Sequence, residues 1–198
     1  MQEGLRKKLI LTPPKIPLEK IGAGDVSYSH TDDRIYAAFL LFSYPDLTLL
    51  ESAMVKGQAS FPYIPSLLTF REAPILIKAF SKLKTKPDLI LVDGQGIAAH
   101  IGLLLDLPSI GCAKSRLYGA EAEPSLDKGS AAPLIEEGRP LGMIVRTRTG
   151  VKPVYVSPGH KMDLATSVKI ILSLCRGYRI PEPLRQAHIL VNRLRGEK

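Results

Sequence analysis

Three carboxylates stand close to where a strand or helix gives way to a turn. Asp25 lies in Gly24-Asp-Val-Ser-Tyr28, Glu72 closes Phe70-Arg-Glu72 ahead of Ala73-Pro74, and Asp93 opens Asp93-Gly-Gln-Gly96 behind the apolar run Leu89-Ile-Leu-Val92. Two or three acids that converge with open coordination positions suit a hard divalent ion such as Mg²⁺, which takes oxygen ligands, keeps waters and bridges phosphate oxygens. Each acid also has a plainer reading. On a strand, Asp25 shares one face with Ser27 while Val26 and Tyr28 share the other. An unpaired carboxylate is expensive to bury, so Asp25 is solvent-exposed, salt-bridged or metal-bound. Glu72, taken singly beside Arg71, reads better as a surface charge. Asp93 is the most pointed of the three, because ligands of open α/β sheets gather at the carboxyl ends of strands. The glycines on either side of Gln95 let backbone approach a ligand closely. Gly94-x-Gly96-x-x-Ala99 also fits the opening of a dinucleotide-binding loop, but no acid follows about 20 residues on at a strand end. The metal reading rests on the three acids together.

The elements that must position them follow from periodicity. Alternation and β-branched content predict strands around Asp25–Ser29, Ile35–Ser43 and Leu47–Gly57, in meander order. From Pro65 the spacing turns helical through Leu67, Leu68, Ile75, Leu76, Ala79 and Leu83, and Pro74 is expected to divide or kink that helix just after Glu72. A short strand at Leu89–Val92, a helix over Ile97–Leu105 and a buried strand at Ser109–Ala113 come next. Tyr118–Arg139 is polar and rich in Gly and Pro, and reads as irregular. Strands at Leu141–Arg146 and Lys152–Val156 precede helices at Asp163–Cys175 and Glu182–Arg195. Antiparallel strands followed by alternating helices and parallel-type strands predict an α/β, RNase H-like mixed β-sheet flanked by helices, as a single domain over residues 1–198.

Composition narrows the class. A chain of 198 residues with 45% hydrophobic content fills one well-buried domain without division. Lys and Arg outnumber Asp and Glu by 27 to 19, giving +8 and a pI near 9.5, so a polyanion is the expected partner, nucleic acid first. Arg146, Arg148, Lys152 and Lys161 are expected near the sheet end, and Arg179, Arg185, Arg193 and Arg195 near the last helix, with no individual role assigned. Cys112 and Cys175 sit far apart inside apolar patterns and read as core thiols in a reducing compartment, which indicates neither a disulfide framework nor a zinc site. Arg6-Lys7-Lys8 is followed only by Leu9-Ile-Leu11 before Pro13-Pro14, unlike a signal peptide. No apolar run reaches the roughly 20 residues that span a bilayer, and a cytoplasmic protein with no membrane partner is expected. His160 in Ser-Pro-Gly-His reads as a turn residue; His30 and His188 carry no signal.

Gly24-Asp-Val-Ser-Tyr28, Pro62-Tyr-Ile-Pro65, Phe70-Arg-Glu72, Val92-Asp-Gly94-x-Gly96, Ile110-Gly-x-Ala-Lys-Ser-Arg-Leu117, Ser157-Pro-Gly-His160 and Tyr178-Arg-x-Pro-Glu-Pro183 resemble, in order and spacing, the endonuclease V family over nearly the whole chain. The motifs are specific jointly. The resemblance implies an RNase H-like nuclease dependent on Mg²⁺, with Mn²⁺ able to replace it. Such an enzyme recognises hypoxanthine, as deoxyinosine in DNA or inosine in RNA, in repair of deaminated adenine. It cuts the second phosphodiester bond on the 3′ side, leaving a 3′ hydroxyl and a 5′ phosphate. It also implies roles: Asp25, Glu72 and Asp93 as metal-binding acids, Lys114 at the scissile phosphate, Tyr63 with Pro62, Ile64 and Pro65 as a wedge entering the duplex, and Ser66, Leu68, Gly94, Gln95 and Gly96 as the base pocket. A monomer is expected. Without the resemblance, Lys114 reads as an ordinary strand-end lysine and Tyr63 as a packing residue.

The chain departs from the family at one point. Asp93-Gly-Gln-Gly-Ile-Ala98 runs straight into Ala99-His-Ile-Gly102, where the family pattern carries about eight further residues with a His-Pro-Arg segment. His100 therefore matches the histidine of the following helix, and no catalytic role transfers to it. An inosine- or nucleic-acid-binding protein on the same fold with weak or lost cleavage stays open as an alternative, as does a metal-dependent nuclease indifferent to the base.

Overall fold

Apolar runs and the turns between them set the order of elements in the computed structural model, which describes residues 8–13, 17–64, 67–116 and 120–197. In chain order these are β1 (Lys20–Tyr28), β2 (Arg34–Ser43), β3 (Leu49–Gln58), α1 (Leu68–Phe80), β4 (Leu89–Val92), α2 (Ile97–Leu105), β5 (Ser109–Ala113), β6 (Ala120–Glu121), β7 (Ala131–Glu136), β8 (Arg139–Val145), β9 (Val154–Pro158), α3 (Leu164–Ser173) and α4 (Glu182–Gly196). The nine strands among the described residues form one sheet in the order β3-β2-β1-β4-β5-β9-β8-β7-β6. β1, β4 and β5 run parallel at its centre, and the remaining pairs are antiparallel.

Helices cover both faces, so the central strands are apolar on both sides rather than alternating. Leu89 and Leu91 pack with Ile21, Ala23 and Cys112 beneath α3 and α4, whereas Ile90 and Val92 pack with Phe39 and Leu76 beneath α1 and α2. Four consecutive buried residues in β4 follow directly. α4 presents Leu184, Ala187, Val191 and Leu194 to the sheet at helical spacing. Among the described residues no helix is long and apolar enough to cross a membrane.

Three expectations need correction. Pro74 does not divide α1, which runs unbroken from Leu68 to Phe80 with Pro74 inside it. The hydrogen bond that proline removes is outweighed by the buried Ala73, Ile75, Leu76, Ala79 and Phe80 on the sheet side. Glu72 is therefore a mid-helix residue and ends no element. The stretch expected to be irregular holds β6 and β7, and β7 forms a hairpin with β8. Glu137 and Gly138, both at positive φ, make its turn. Pro133 and the polar flanks hide a two-residue alternation in which Ala132 and Leu134 alone are buried. Arg146 belongs to no basic surface: it is buried and donates to the carbonyls of Pro124, Ser125 and Val151. Of the expected site residues, Pro65 and Ser66 lie outside the described residues, as do Leu117 of the motifs and Tyr118 at the start of the stretch expected to be irregular.

Candidate active site

Parallel register brings two of the acids together. Gly24 on β1 is opposite Val92 on β4, the last pair of that ladder, so Asp25, still within β1, and Asp93, the first residue past β4, lie side by side, about 4.8 Å apart across the sheet. Lys114 follows β5, the next parallel strand, and its Nζ pairs with Asp93 Oδ2 at 2.8 Å. The turn after Asp93 depends on glycine twice over. Gly94 and Gly96 have φ of +128° and +87°, which side-chain-bearing residues rarely adopt. A Cβ on Gly111 of β5 would sit 2.5 Å from the Gly94 carbonyl, so only glycine there lets the turn fold back over β5.

Asp25 is buried and held by α4. Its Oδ2 lies 2.7 Å from His188 Nδ1, and its Oδ1 accepts the Val26 amide at 2.8 Å. The Asn192 amide nitrogen lies 3.1 Å from His188 Nε2, while Asn192 Oδ1 accepts the Ser27 hydroxyl at 3.0 Å. An amide nitrogen only donates, so this network puts the His188 proton on Nδ1, facing Asp25. Burial and the charge of Asp93 push the Asp25 carboxyl pKa up, and the His188 bond opposes them.

Glu72 reaches the same rim from α1. Tyr28, on the opposite face of β1 from Asp25, donates its hydroxyl to Glu72 Oε1 at 2.6 Å. Burial pushes the Glu72 pKa up to about 7, and the charges of Asp25 and Asp93 act in the same direction against the Tyr28 bond. Two carboxyls whose pKa values burial and neighbouring carboxylates push up, with an all-oxygen donor set, are what a hard divalent cation relieves. Among the described residues no three His, Cys, Asp or Glu side chains close tightly enough to cage an ion. The acids line an open rim, Asp25 from within β1, Asp93 from just past β4 and Glu72 from α1.

Beside the rim, Tyr63 is 68% exposed, with Pro62 and Ile64 also outside the core. Its approach is anchored: Phe61 packs on Phe70 at 5.8 Å, Phe70 meets the His100 ring edge-on at 5.4 Å, and Arg71 donates to the Phe61 carbonyl while lying 5.2 Å over the Tyr28 ring. His100 is thus a half-buried packing residue whose pKa burial lowers. Phe70 on His100 seats the first turn of α1 against α2.

Residues 3–189 match the endonuclease V family. The chain belongs to that family. It is 48% identical over 181 residues to endonuclease V of Methanothrix thermoacetophila, covering 87% of this chain and 80% of the relative. The crystal structure of endonuclease V from Streptomyces avermitilis superposes with a TM-score of 0.93 at 38% identity, over 99% of this chain and 90% of that one. Endonuclease V of Ciona intestinalis, solved in complex with a 24mer DNA containing an inosine followed by a ribo-adenosine, superposes with a TM-score of 0.86 at 29% identity, over 98% of this chain and 94% of that one. An endonuclease V is a nuclease, a hydrolase acting on nucleic-acid phosphodiester bonds. The expected mixed-sheet fold is the family's fold.

The Methanothrix alignment spans 181 positions but uses 87% of 198 residues, about 172, so about nine positions of that relative face no residue here. That agrees in size with the about eight residues that the family pattern carries after Ala98; here Ala98 and Ala99 are consecutive residues of α2.

Sequence reasoning missed His188. The available signal was its place beside the apolar stripe of α4, with Asn192 one turn further on; that its partner would be Asp25, 163 residues away, has no local trace. Elsewhere, His160 is the expected turn residue. It is buried, its amide donates to Ser109 Oγ, and its ring joins Asp106 and the Ile10 amide. Lys161 pairs with Asp106 there and not beside the acids. Arg185 pairs with Glu182 and stacks 4.3 Å over Tyr178.

Proposed function

We propose that this endonuclease V is a divalent-metal-dependent enzyme that recognises hypoxanthine in nucleic acid and cleaves the second phosphodiester bond on its 3′ side. We infer a monomeric cytoplasmic protein of deaminated-adenine repair. The observation that carries this reading is the rim of Asp25, Glu72 and Asp93 beside an exposed Tyr63, in a chain similar over nearly its full length to a relative solved with inosine-containing DNA. Asp25, Glu72 and Asp93 would hold Mg²⁺, or Mn²⁺ in its place, which when bound activates water and neutralises charge on the phosphate.

The chain's own residues supply the rest. His188, fixed by Asn192 and Ser27, keeps Asp25 ionised and oriented. Tyr28 holds Glu72 toward the rim. Lys114 exchanges its pairing with Asp93 for a non-bridging phosphate oxygen, leaving the Asp93 carboxylate for the metal. Tyr63 enters the stack at the lesion, restrained by Pro62, and the splayed base lies against Leu68 and the Gly94-Gln95-Gly96 backbone. Unstacking costs a few kcal/mol, which contacts to the displaced base offset.

One observation favours a binding protein with weak cleavage instead: about nine positions of the Methanothrix relative face no residue here, the size of the His-Pro-Arg segment that the resemblance implies after Ala98. A 5′-labelled strand carrying one deoxyinosine decides between them. With Mg²⁺ the enzyme reading expects a single cut at the second bond 3′ to the lesion, lost with chelator or in Asp93→Ala, and none on the plain strand. Retained binding without a cut refutes it, and equal cutting of the plain strand removes the base preference.

A further inference from the structure

Arg179, in the connection from α3 to α4, is one of the basic residues expected near the last helix with no individual role. Its guanidinium turns inward. Nη2 donates to the Lys114 carbonyl and, at 2.7 Å, to the Pro153 carbonyl, while the Arg179 carbonyl accepts the Thr147 hydroxyl at 2.6 Å. β5 pairs with β9 as far as Ala113 opposite Tyr155, and with β4 as far as Gly111 opposite Val92. The ladder therefore stops one residue short of Lys114. The two bridged carbonyls flank that break, one just past β5 and one just before β9. Arg179 continues by side chain a pairing the backbone no longer makes. Its Nε is buried with no hydrogen-bond partner among the described residues, an arrangement uncommon enough to need a reason. The guanidinium is held for its Nη2 contacts at the expense of Nε.

The far end of Lys114 meets Asp93 at the rim. A lysine carries its charge on a flexible four-carbon stem, so where that charge goes depends on how firmly the backbone beneath it is held. The geometry assigns Arg179 as the positioning residue of Lys114: it fixes the peptide from which the ammonium reaches the scissile phosphate, and it makes no contact with nucleic acid itself. This rests on the reading of Lys114 given above.

The test compares Arg179→Ala, Lys114→Ala and the double variant, with Arg146→Lys as control, since Arg146 is likewise a buried arginine bonded to carbonyls but has no contact with Lys114. On the deoxyinosine strand, Arg179→Ala is expected to lower kcat about tenfold with KM within about twofold, as small misplacements of a reacting group do. In the Lys114→Ala background it is expected to cost less than about twofold further, because residues acting through one contact do not add. Lysine acetylation followed by mass spectrometry gives a readout independent of turnover: Lys114 labels faster in Arg179→Ala, while Lys161, paired with Asp106, is unchanged. Full additivity, unchanged Lys114 labelling, a loss confined to KM, or an equal kcat loss in Arg146→Lys each overturns the assignment. If Lys114→Ala alone leaves kcat intact, the reading of Lys114 falls first and the assignment with it.

Discussion

Replacing Glu72 with Gln separates the cost of the acidic rim from its use. Tyr28 donates to Glu72 Oε1, and a glutamine carbonyl accepts the same bond, so the change removes charge while keeping shape. Burial, with the charges of Asp25 and Asp93 adding to it, pushes the Glu72 carboxyl up to about 7 in the folded protein, against 4.5 for a solvated glutamate. Below pH 4.5 folded and unfolded chains both hold the proton, and the residue contributes nothing to pH dependence. Between 4.5 and about 7 the folded state keeps a proton that the unfolded state has lost, so stability falls as pH rises; above 7 both are ionised and the full cost stands. The rise from 4.5 to about 7 corresponds to a cost of about 3 kcal/mol. This is a ceiling for the gain on substitution, because the new amide N–H₂ needs its own acceptor in a confined place. For a chain of this size that is about 6–12 °C in Tm. Thermal unfolding by circular dichroism in chelator should find Glu72→Gln more stable than the native protein at pH 8 and indistinguishable at pH 4.5, while cleavage is lost. Mg²⁺ at pH 8 should raise Tm of the native protein more than that of the variant. Equal stability at pH 8, or a difference that does not change with pH, refutes the electrostatic account of the rim.

Asp93→Asn is expected to lower the cleavage rate about a thousandfold, several kcal/mol of lost charge stabilisation, with DNA binding little changed in a gel-shift assay. Tyr63→Ala should reduce discrimination between deoxyinosine and plain strands about tenfold, the worth of one stacking contact; because Tyr63 is 68% exposed, its Tm should hold. His188→Ala should cost about 10- to 100-fold in rate, as loss of a group that orients a ligand does. It should also move the acidic limb of the pH–rate profile upward, since the bond it removes is one that lowers the Asp25 pKa; an unmoved limb means His188 does not act through Asp25.

Much of the fold was legible because its signals are local. Leu89–Val92 and Ser109–Ala113 are continuous apolar runs, and both are central strands buried on two faces. The β7–β8 hairpin was illegible because only Ala132 and Leu134 alternate and Pro133 interrupts them. Pro74 misled for a related reason: a local rule about proline was overridden by the five buried residues around and beyond it. Among the acids, strand periodicity and the glycines at 94 and 96 marked Asp25 and Asp93. Glu72 needed company, since one carboxylate in a helix is ordinarily solvated.

Residue types, their spacing and the family pattern they compose are properties of the chain itself, and they determined the fold class, the family and which acids to watch. Tertiary structure decided who meets whom. Register puts Asp25 beside Asp93, packing of α4 brings His188 to Asp25, and a guanidinium that counts in sequence as one more surface charge closes the gap between Lys114 and Pro153. Periodicity encodes only which face of its own element a residue occupies. Partners 26 to 163 residues apart are chosen by sheet register and by burial, which exist only once the whole chain has packed.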